Sequence, residues 1–595
     1  MSTDITSAQP SAALADPTPG TAPRGPRGGR GARRGAQGRR WPSALSVVVL
    51  IVLLGLIAGP VATVFFGAFQ SKAPGMPNNG FSLDAIEKVY ASTAYVKSLV
   101  GTLLMSLAVA ALSVVVGAVA AWVLARTDVR WRGLLELGVI IPLFMSPFVG
   151  AVAWSMLAAP HSGMINVNLR WMLHTDRTFV NITSIPGLTF VLLLYYVPYA
   201  YLLVSAALKN VDPSLEEASY MNGRGVIATA LKVTLPVVRP SLAAAFFFVA
   251  VLATGVFAVP QVLNFNSFSP LAVGVYRSMT VFPSNPPVGA AIGTLMFWFT
   301  LAGIYFYRRS IRNGQRYVTI GARGTRPRLV RLGWKKWPVM GAFGLYGLLA
   351  TVLPYAALAL MSLTPYSITD FRKMSLGLDN FVSVATTPDV VHSFENSLWL
   401  GVLVPTIAVV LGLAVAYVVV RERGRLGAVV DYVSTFPIAV PGIVFATGIV
   451  WLYVRTPMYA TLTLLVIALV GVYMPHASRF ATTGLMQIDR SLEEAGRMSG
   501  AGKFRVIRTV SFPLVRPSLL SAWILLFVFS MREVNETVVI AGPNSRPLSV
   551  LAWDYVQAGS LREAAVVGLV LTLVMLAGVL IARFVLRVRL DSSNL

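Results

Sequence analysis

An all-α integral membrane fold is predicted, with twelve transmembrane helices arranged as two parallel repeats of six. Three observations predict it. Apolar runs of about 20 residues recur along the chain, each long enough to cross a hydrocarbon core of ~30 Å. Basic residues crowd into every second connection between those runs. The polar stretch "SLEEASYMNGRG" at 214–225 also returns as "SLEEAGRMSGAG" at 491–502.

Composition sets the class. Of 595 residues, 56% are hydrophobic and 12% charged, with a mean hydropathy of +0.70. A soluble chain would carry about twice that share of charge. Cysteine is absent, which excludes disulfides, thiolate metal sites and cysteine nucleophiles. His161, His174, His392 and His476 lie far apart without metal-type spacing, so no metal site is expected. Residues 1–43 hold seven Arg against two Asp among Gly, Pro and Ala, and are expected to be a disordered cytoplasmic tail. The long apolar run after so long a basic tail does not read as a cleavable signal.

The first six spans are expected near 44–68, 98–125, 133–158, 185–208, 240–263 and 288–307. The second six are expected near 338–362, 396–420, 427–454, 458–485, 517–540 and 563–582. With the N-terminus inside, the cytoplasmic segments hold 36 of the 49 Lys and Arg but only 11 of the 24 acids. The whole net charge of +25 therefore falls on the inner side. Orientation accounts for the basic balance, so a nucleic-acid partner is not expected. The organisation expected is a tail (1–43), a first six-helix transmembrane domain (44–307), a basic cytoplasmic linker (308–337), a second six-helix transmembrane domain (338–589) and a C-terminal tail (590–595). Both termini would lie in the cytoplasm.

The two domains are repeats. Residues 212–242 and 489–519 align without a gap at an offset of 277, with 16 of 31 positions identical. Tyr196 and Pro198 fall on Tyr473 and Pro475 at the same offset. A repeat of the same orientation implies a pseudo-two-fold axis along the membrane normal.

Each repeated turn reads as a short helix. Ser214 and Ser491 are expected as N-caps, with Glu217 and Glu494 completing capping boxes. Gly223 and Gly500 end the helices. Leu215, Ala218 and Met221 give one apolar face, as do Leu492, Ala495 and Met498. A second basic helical stretch would follow and stop before Pro236 or Pro513. With Glu217 and Glu494 engaged in capping, Glu216 and Glu493 are expected to be the freer residues to meet a partner.

These segments, "EEASYMNG…TLPVVRP" and "EEAGRMSG…SFPLVRP", resemble the EAA motif of type I ABC-importer permeases, and the resemblance covers essentially the whole chain. Ser219 or Gly496 replaces the family's second Ala, and Phe512 replaces a Leu. The resemblance implies the type I importer fold and a coupling helix in each half that docks on an ATP-binding subunit. The coupling residues would be Glu216, Glu217, Ala218 and Gly223 in half one, and Glu493, Glu494, Ala495 and Gly500 in half two. It also implies a homodimeric cytoplasmic ATP-binding partner, an extracytoplasmic substrate-binding protein and a bacterial plasma-membrane location. ATP and Mg would be held by the partner, with no cofactor in this chain. The phosphate-loop-like "GAGKF" at 500–504 is rejected, since Arg497 and Phe504 occupy positions needing Gly and Ser/Thr. No catalytic residues are expected.

Candidates for the translocation path are polar or kinking residues within spans. In half two, "MREVNET" offers Arg532, Glu533 and Glu536, with Arg532 and Glu536 spaced to pair along a helix. The matching stretch of half one has no charge but offers Gln261 and Asn264. Pro198 and Pro475 would kink the fourth spans beside Tyr196 and Tyr473. The "REVNET" and "GVFAVPQVL" stretches resemble the ferric-iron and thiamine group of fused permeases. That implies ferric iron as substrate, with thiamine, phosphonate or polyamine as alternatives. An ion-gradient-driven secondary transporter is the alternative of another class.

Overall fold

The computed structural model describes residues 43–314, 329–365, 370–373, 375–422 and 424–586. The expected N-terminal tail up to residue 42, the middle of the linker (315–328) and the C-terminal tail at 590–595 lie outside the described residues. Helix follows helix throughout. The bridges Gln70–Phe81 and Thr127–Val330 are isolated, and there is no strand among the described residues.

Half one contains α1 (Ala44–Ala68), α2 (Thr93–Arg126), α3 (Arg132–Phe144), α4 (Pro147–Ala158) and α5 (Ile185–Lys209). It continues with α6 (Pro213–Met221), α7 (Val226–Thr254) and α8 (Pro286–Ser310). Half two repeats the order as α9 (Gly333–Leu363), α10 (Pro388–Glu422), α11 (Arg425–Ala439), α12 (Gly442–Tyr453) and α13 (Leu462–Met486). It closes with α14 (Arg490–Met498), α15 (Ile507–Arg532) and α16 (Leu561–Ala582). Among the described residues, ten helices are long and apolar enough to cross a membrane. The pairs α3/α4 and α11/α12 bend by 97° and 109°, and bring the number to twelve if each pair is one span.

Those bends correct the expected straight third spans. Pro142 and Pro147 flank the break in half one, and Pro437 and Pro441 that in half two. A proline supplies no N–H and clashes with the preceding turn, so two so closely spaced end the helix. The helical stretch after each repeated turn departs from expectation in the opposite sense, since it does not stop before Pro236 or Pro513. A π-helical turn at Ala230–Thr234, or Ile507–Ser511, carries the chain straight into the fifth span. The wider turn accommodates the missing proline N–H at the start of the next α-helical segment. The fifth spans end at Thr254 and Arg532, earlier than the expected 263 and 540.

The first helix of each half packs on the other half, α1 against α10, α11 and α12, and α9 against α3 and α4. Thr63 Oγ1 donates to Gly448 O at 2.8 Å, and Tyr346 Oη donates to Leu194 O at 2.8 Å. Within each half the second and fourth spans pack at small residues. A Cβ on Gly117 would meet the backbone of Tyr201, and one on Gly412 the backbone of Ala477. Close approach of this kind is how helices hold together where lipid gives no hydrophobic drive. Asp128 N donates to Val330 O at 3.1 Å and Val330 N to Arg126 O at 2.8 Å, which ties the end of the linker beside the end of α2.

Candidate functional site

Each half carries the same loop. In α6 and α14 the cap is an aspartate, two residues earlier than the expected serines. Asp212 Oδ1 accepts from Ser214 N at 2.9 Å, and Asp489 Oδ1 from Ser491 N at 2.9 Å. These backbone N–H groups hold both carboxyls below the usual carboxylate range. Gly223 (φ +74°) and Gly500 (φ +79°) sit in the left-handed region that ends each helix, as expected.

The glutamates exchange the roles expected of them. Glu216 and Glu493 are buried, while Glu217 and Glu494 are exposed. Glu216 lies 2.9 Å from Arg126 Nε at the end of α2, and accepts from Thr234 Oγ1 at 2.7 Å. Glu493 lies 3.0 Å from Arg421 Nε at the end of α10, and accepts from Ser511 Oγ at 2.8 Å. Each arginine also donates to carbonyls at the end of the fourth span: Leu208 O in half one, and Leu485 O and Ile488 O in half two. One buried carboxylate thus joins the loop helix, two spans and the start of the fifth. Each such pair is desolvated but meets several charge-assisted hydrogen bonds, the condition under which a buried pair is tolerable. Glu494 makes an exposed pair with Arg490, at 3.3 Å. Leu215, Ala218 and Met221 share the exposed side with Glu217, and Leu492, Ala495 and Met498 do so with Glu494.

The departures from the EAA pattern compensate each other locally. Ser219 bonds Thr229 at 2.9 Å in half one. In half two Gly496 and Val506 stand at those places, and a Cβ on Gly496 would come within 3.2 Å of Val506 Cγ2.

A cavity of ≈ 230 Å³ lies where the halves meet. Equivalent positions of the two repeats line it: Tyr196 and Tyr473, Tyr199 and His476, Gly255 and Arg532, Val256 and Glu533, Val259 and Glu536. Five of the nine path candidates, Tyr196, Tyr473, Arg532, Glu533 and Glu536, therefore come together. Pro198 and Pro475 are buried inside α5 and α13 and do not line it. Gln261 and Asn264 are turned away. Gln261 accepts from Arg277 Nη2 at 3.3 Å at the surface, and Asn264 is exposed with φ +50°. The chain leaves α7 through a short helix, Ala258–Val262, whose terminal turn carries those side chains outward. Tyr199 and His476 were missed, although each lies three residues past a predicted tyrosine and hence on the same helical face.

The predicted pairing of Arg532 with Glu536 does not form. The helix ends at Arg532, so the i,i+4 geometry is lost. Arg532 instead crosses to half one. It donates to Leu143 O, to Met145 O at 2.8 Å and to Tyr199 Oη at 3.0 Å, with its guanidinium 4.7 Å from the Phe529 ring. It thereby answers carbonyls freed by the α3/α4 break. Glu533 caps its own break, accepting at Oε1 from Val534 N and Asn535 N, and at Oε2 from Tyr473 Oη at 3.0 Å.

Two equivalent helical halves around one cavity with charged residues in its wall, each half with a matched loop, have the arrangement of a membrane permease. Residues 408–589 match the family described as "Binding-protein-dependent transport system inner membrane component". The second half of the chain thus matches this permease family, and the similar proteins that span most of the chain are themselves named as transport permeases. A ferric transport system permease protein of Actinobacillus pleuropneumoniae is 25% identical over 553 residues, covering 90% of this chain and 77% of that one. A putative ferric transport system permease protein of Haemophilus influenzae is 24% identical, covering 84% and 78%. A probable ABC transporter permease protein of Sinorhizobium fredii is 27% identical, covering 86% and 92%.

Proposed function

We propose that this chain is the fused permease subunit of an ATP-driven importer of ferric iron, coupled to its ATPase through α6 and α14. The observation that carries the reading is the pair of equivalent loops. Each is held by a buried Arg–Glu–hydroxyl anchor and presents an outward patch, Glu217–Ala218–Met221 in one and Glu494–Ala495–Met498 in the other. Two like patches suit a homodimeric partner, because a two-fold assembly offers the same socket twice. The partner binds and hydrolyses Mg-ATP on the cytoplasmic side, where both termini of this chain also lie. An extracytoplasmic binding protein delivers the substrate to the opposite side.

Ferric iron is favoured because similar permeases are named for it, and because the cavity wall supplies carboxylate and phenol oxygens, the donors a hard cation prefers. The permease domains are residues 44–307 and 338–589, joined by the basic linker. In the transport cycle, ATP closes the partner dimer and draws the two loops together. Their anchors carry that motion into α2, α5 and α7 and their counterparts, opening the cavity outward, and hydrolysis returns it inward.

The test is uptake by proteoliposomes containing this chain, its ATP-binding subunit and the loaded binding protein. Uptake of radioactive iron that requires internal ATP supports the reading. Uptake driven by a proton or sodium gradient without the ATPase overturns it.

A further inference from the structure

The charged residues of the cavity differ in what already engages them. Arg532 is taken up by half-one carbonyls and Tyr199, and Glu533 by backbone N–H groups and Tyr473. Glu536 is different. It is 6% exposed, and its Oε2 meets no hydrogen-bond partner. Asn535 Oδ1, in the same turn, also meets none. Among the described residues no ion pair reaches Glu536, and the charged neighbour that acts on it, within hydrogen-bond reach of its carboxyl, is Glu533, of the same sign. A buried carboxylate so placed is costly unless something pairs with it.

The fold makes room for this side chain in one half only. Glu536 lies over Gly442, the first residue of α12, where any Cβ would fall within the carboxylate. Half one has Val259 at the position of Glu536, and its equivalent helix α4 begins with Pro147. Half two thus holds both the carboxylate and the space for it.

Resting on the transport reading above, we propose that Glu536, assisted by Asn535, is the residue that binds the substrate in the cavity. Its ligand is a small hard cation, free of its carrier. Arg532 and Glu533 are positioning residues that hold the two helix breaks. Oxygen donors alone select hard cations. The ≈ 230 Å³ of space suits an ion with several waters, since one water takes about 30 Å³ of liquid volume. The positive end of α12 faces the same cavity and would by itself favour an anion, but the Glu536 carboxylate already answers it.

The experiment uses the full chain in lipid nanodiscs and terbium(III), a hard trivalent ion whose emission the cavity tyrosines sensitise. The wild type is expected to show sensitised emission that gallium(III) displaces and sulfate does not. Glu536→Gln weakens terbium affinity at least tenfold at unchanged melting temperature, while Glu536→Asp retains part of it. Glu533→Gln changes affinity less than threefold but lowers the melting temperature. The proposal is overturned if Glu536→Gln binds like wild type, if Glu533→Gln loses as much affinity as Glu536→Gln, or if sulfate displaces the signal. Capture of the ATP-binding subunit is read on the same samples. Absent terbium binding with intact capture defeats this inference alone, whereas absent capture with intact terbium binding defeats the coupling reading.

Discussion

The two halves agree at their loops and disagree at their cavity walls. Over residues 212–242 and 489–519, 16 of 31 positions are identical, and the buried Arg–Glu–hydroxyl anchors correspond, Thr234 standing against Ser511 and Arg421 reaching one carbonyl more than Arg126. Beyond those segments, Gly255, Val256 and Val259 of half one and the equivalent Arg532, Glu533 and Glu536 of half two line the same cavity. The difference follows from what each region meets. A loop facing one of two identical sockets has the same task in both halves. A wall around a single substrate needs its charge once, and a second carboxylate opposite the first would add like-charge repulsion in a poorly solvated space.

The comparison breaks most visibly if the anchors are unequal. Arg126→Met leaves Glu216 buried without its cation, and Arg421→Met does the same to Glu493. Each is expected to cost about 3–5 kcal/mol, read as a lowered unfolding midpoint in detergent. Equal losses uphold the equivalence, whereas a loss confined to one half would break it. Next in size is Gly442→Ala, which drives a Cβ into the Glu536 carboxylate and should cost about 1–3 kcal/mol in the same assay. Gly255→Ala places a Cβ 3.3 Å from that of Pro441 and should cost less. A larger loss at Gly255 than at Gly442 would contradict the account of the wall.

Smaller still are the exposed glutamates. Glu217→Gln and Glu494→Gln should each change stability by less than about 0.5 kcal/mol while weakening capture of the ATP-binding subunit in pull-down. Their buried neighbours should destabilise the chain first. The smallest effect is that of the caps. The Asp212 and Asp489 carboxyls are held low by backbone N–H groups, so their ionised form favours the folded loop. That contribution is present above the unfolded carboxylate pKa of about 3.9 and is lost as pH falls through the depressed folded values. The stability difference between wild type and the Asp212→Asn, Asp489→Asn double variant should therefore shrink as pH is lowered below ~4. A gap that widens on acidification would contradict the cap assignment.

Much of this architecture is legible in the sequence, because hydropathy, charge asymmetry and internal repetition each report it independently. Tyr196, Tyr473 and the "REVNET" acids were legible for the same reason, as polar or aromatic residues in apolar spans, whereas Tyr199 was not. What local reading missed depends on distant partners. The Ser-x-x-Glu pattern suggested that Glu217 is engaged and Glu216 free. The residue that decides the matter, Arg126, lies 90 positions away at the end of another helix. Arg532 and Glu536 were paired on the assumption of an unbroken helix. Its end at Arg532 sends the guanidinium to carbonyls 387 and 389 positions away. The bends at the third spans did have a local signal in their closely spaced prolines. That signal lost out to an apolar run long enough for one straight span.

The central claim is that coupling is shared by the halves and substrate contact is not. ATP-dependent uptake by proteoliposomes carrying Glu217→Gln, Glu494→Gln, Val259→Ala or Glu536→Gln tests it most directly. The two loop variants should lose uptake to the same extent, Glu536→Gln should lose at least tenfold, and Val259→Ala should remain close to wild type. Unequal losses at the two loops, or equal losses at the two wall positions, would contradict it.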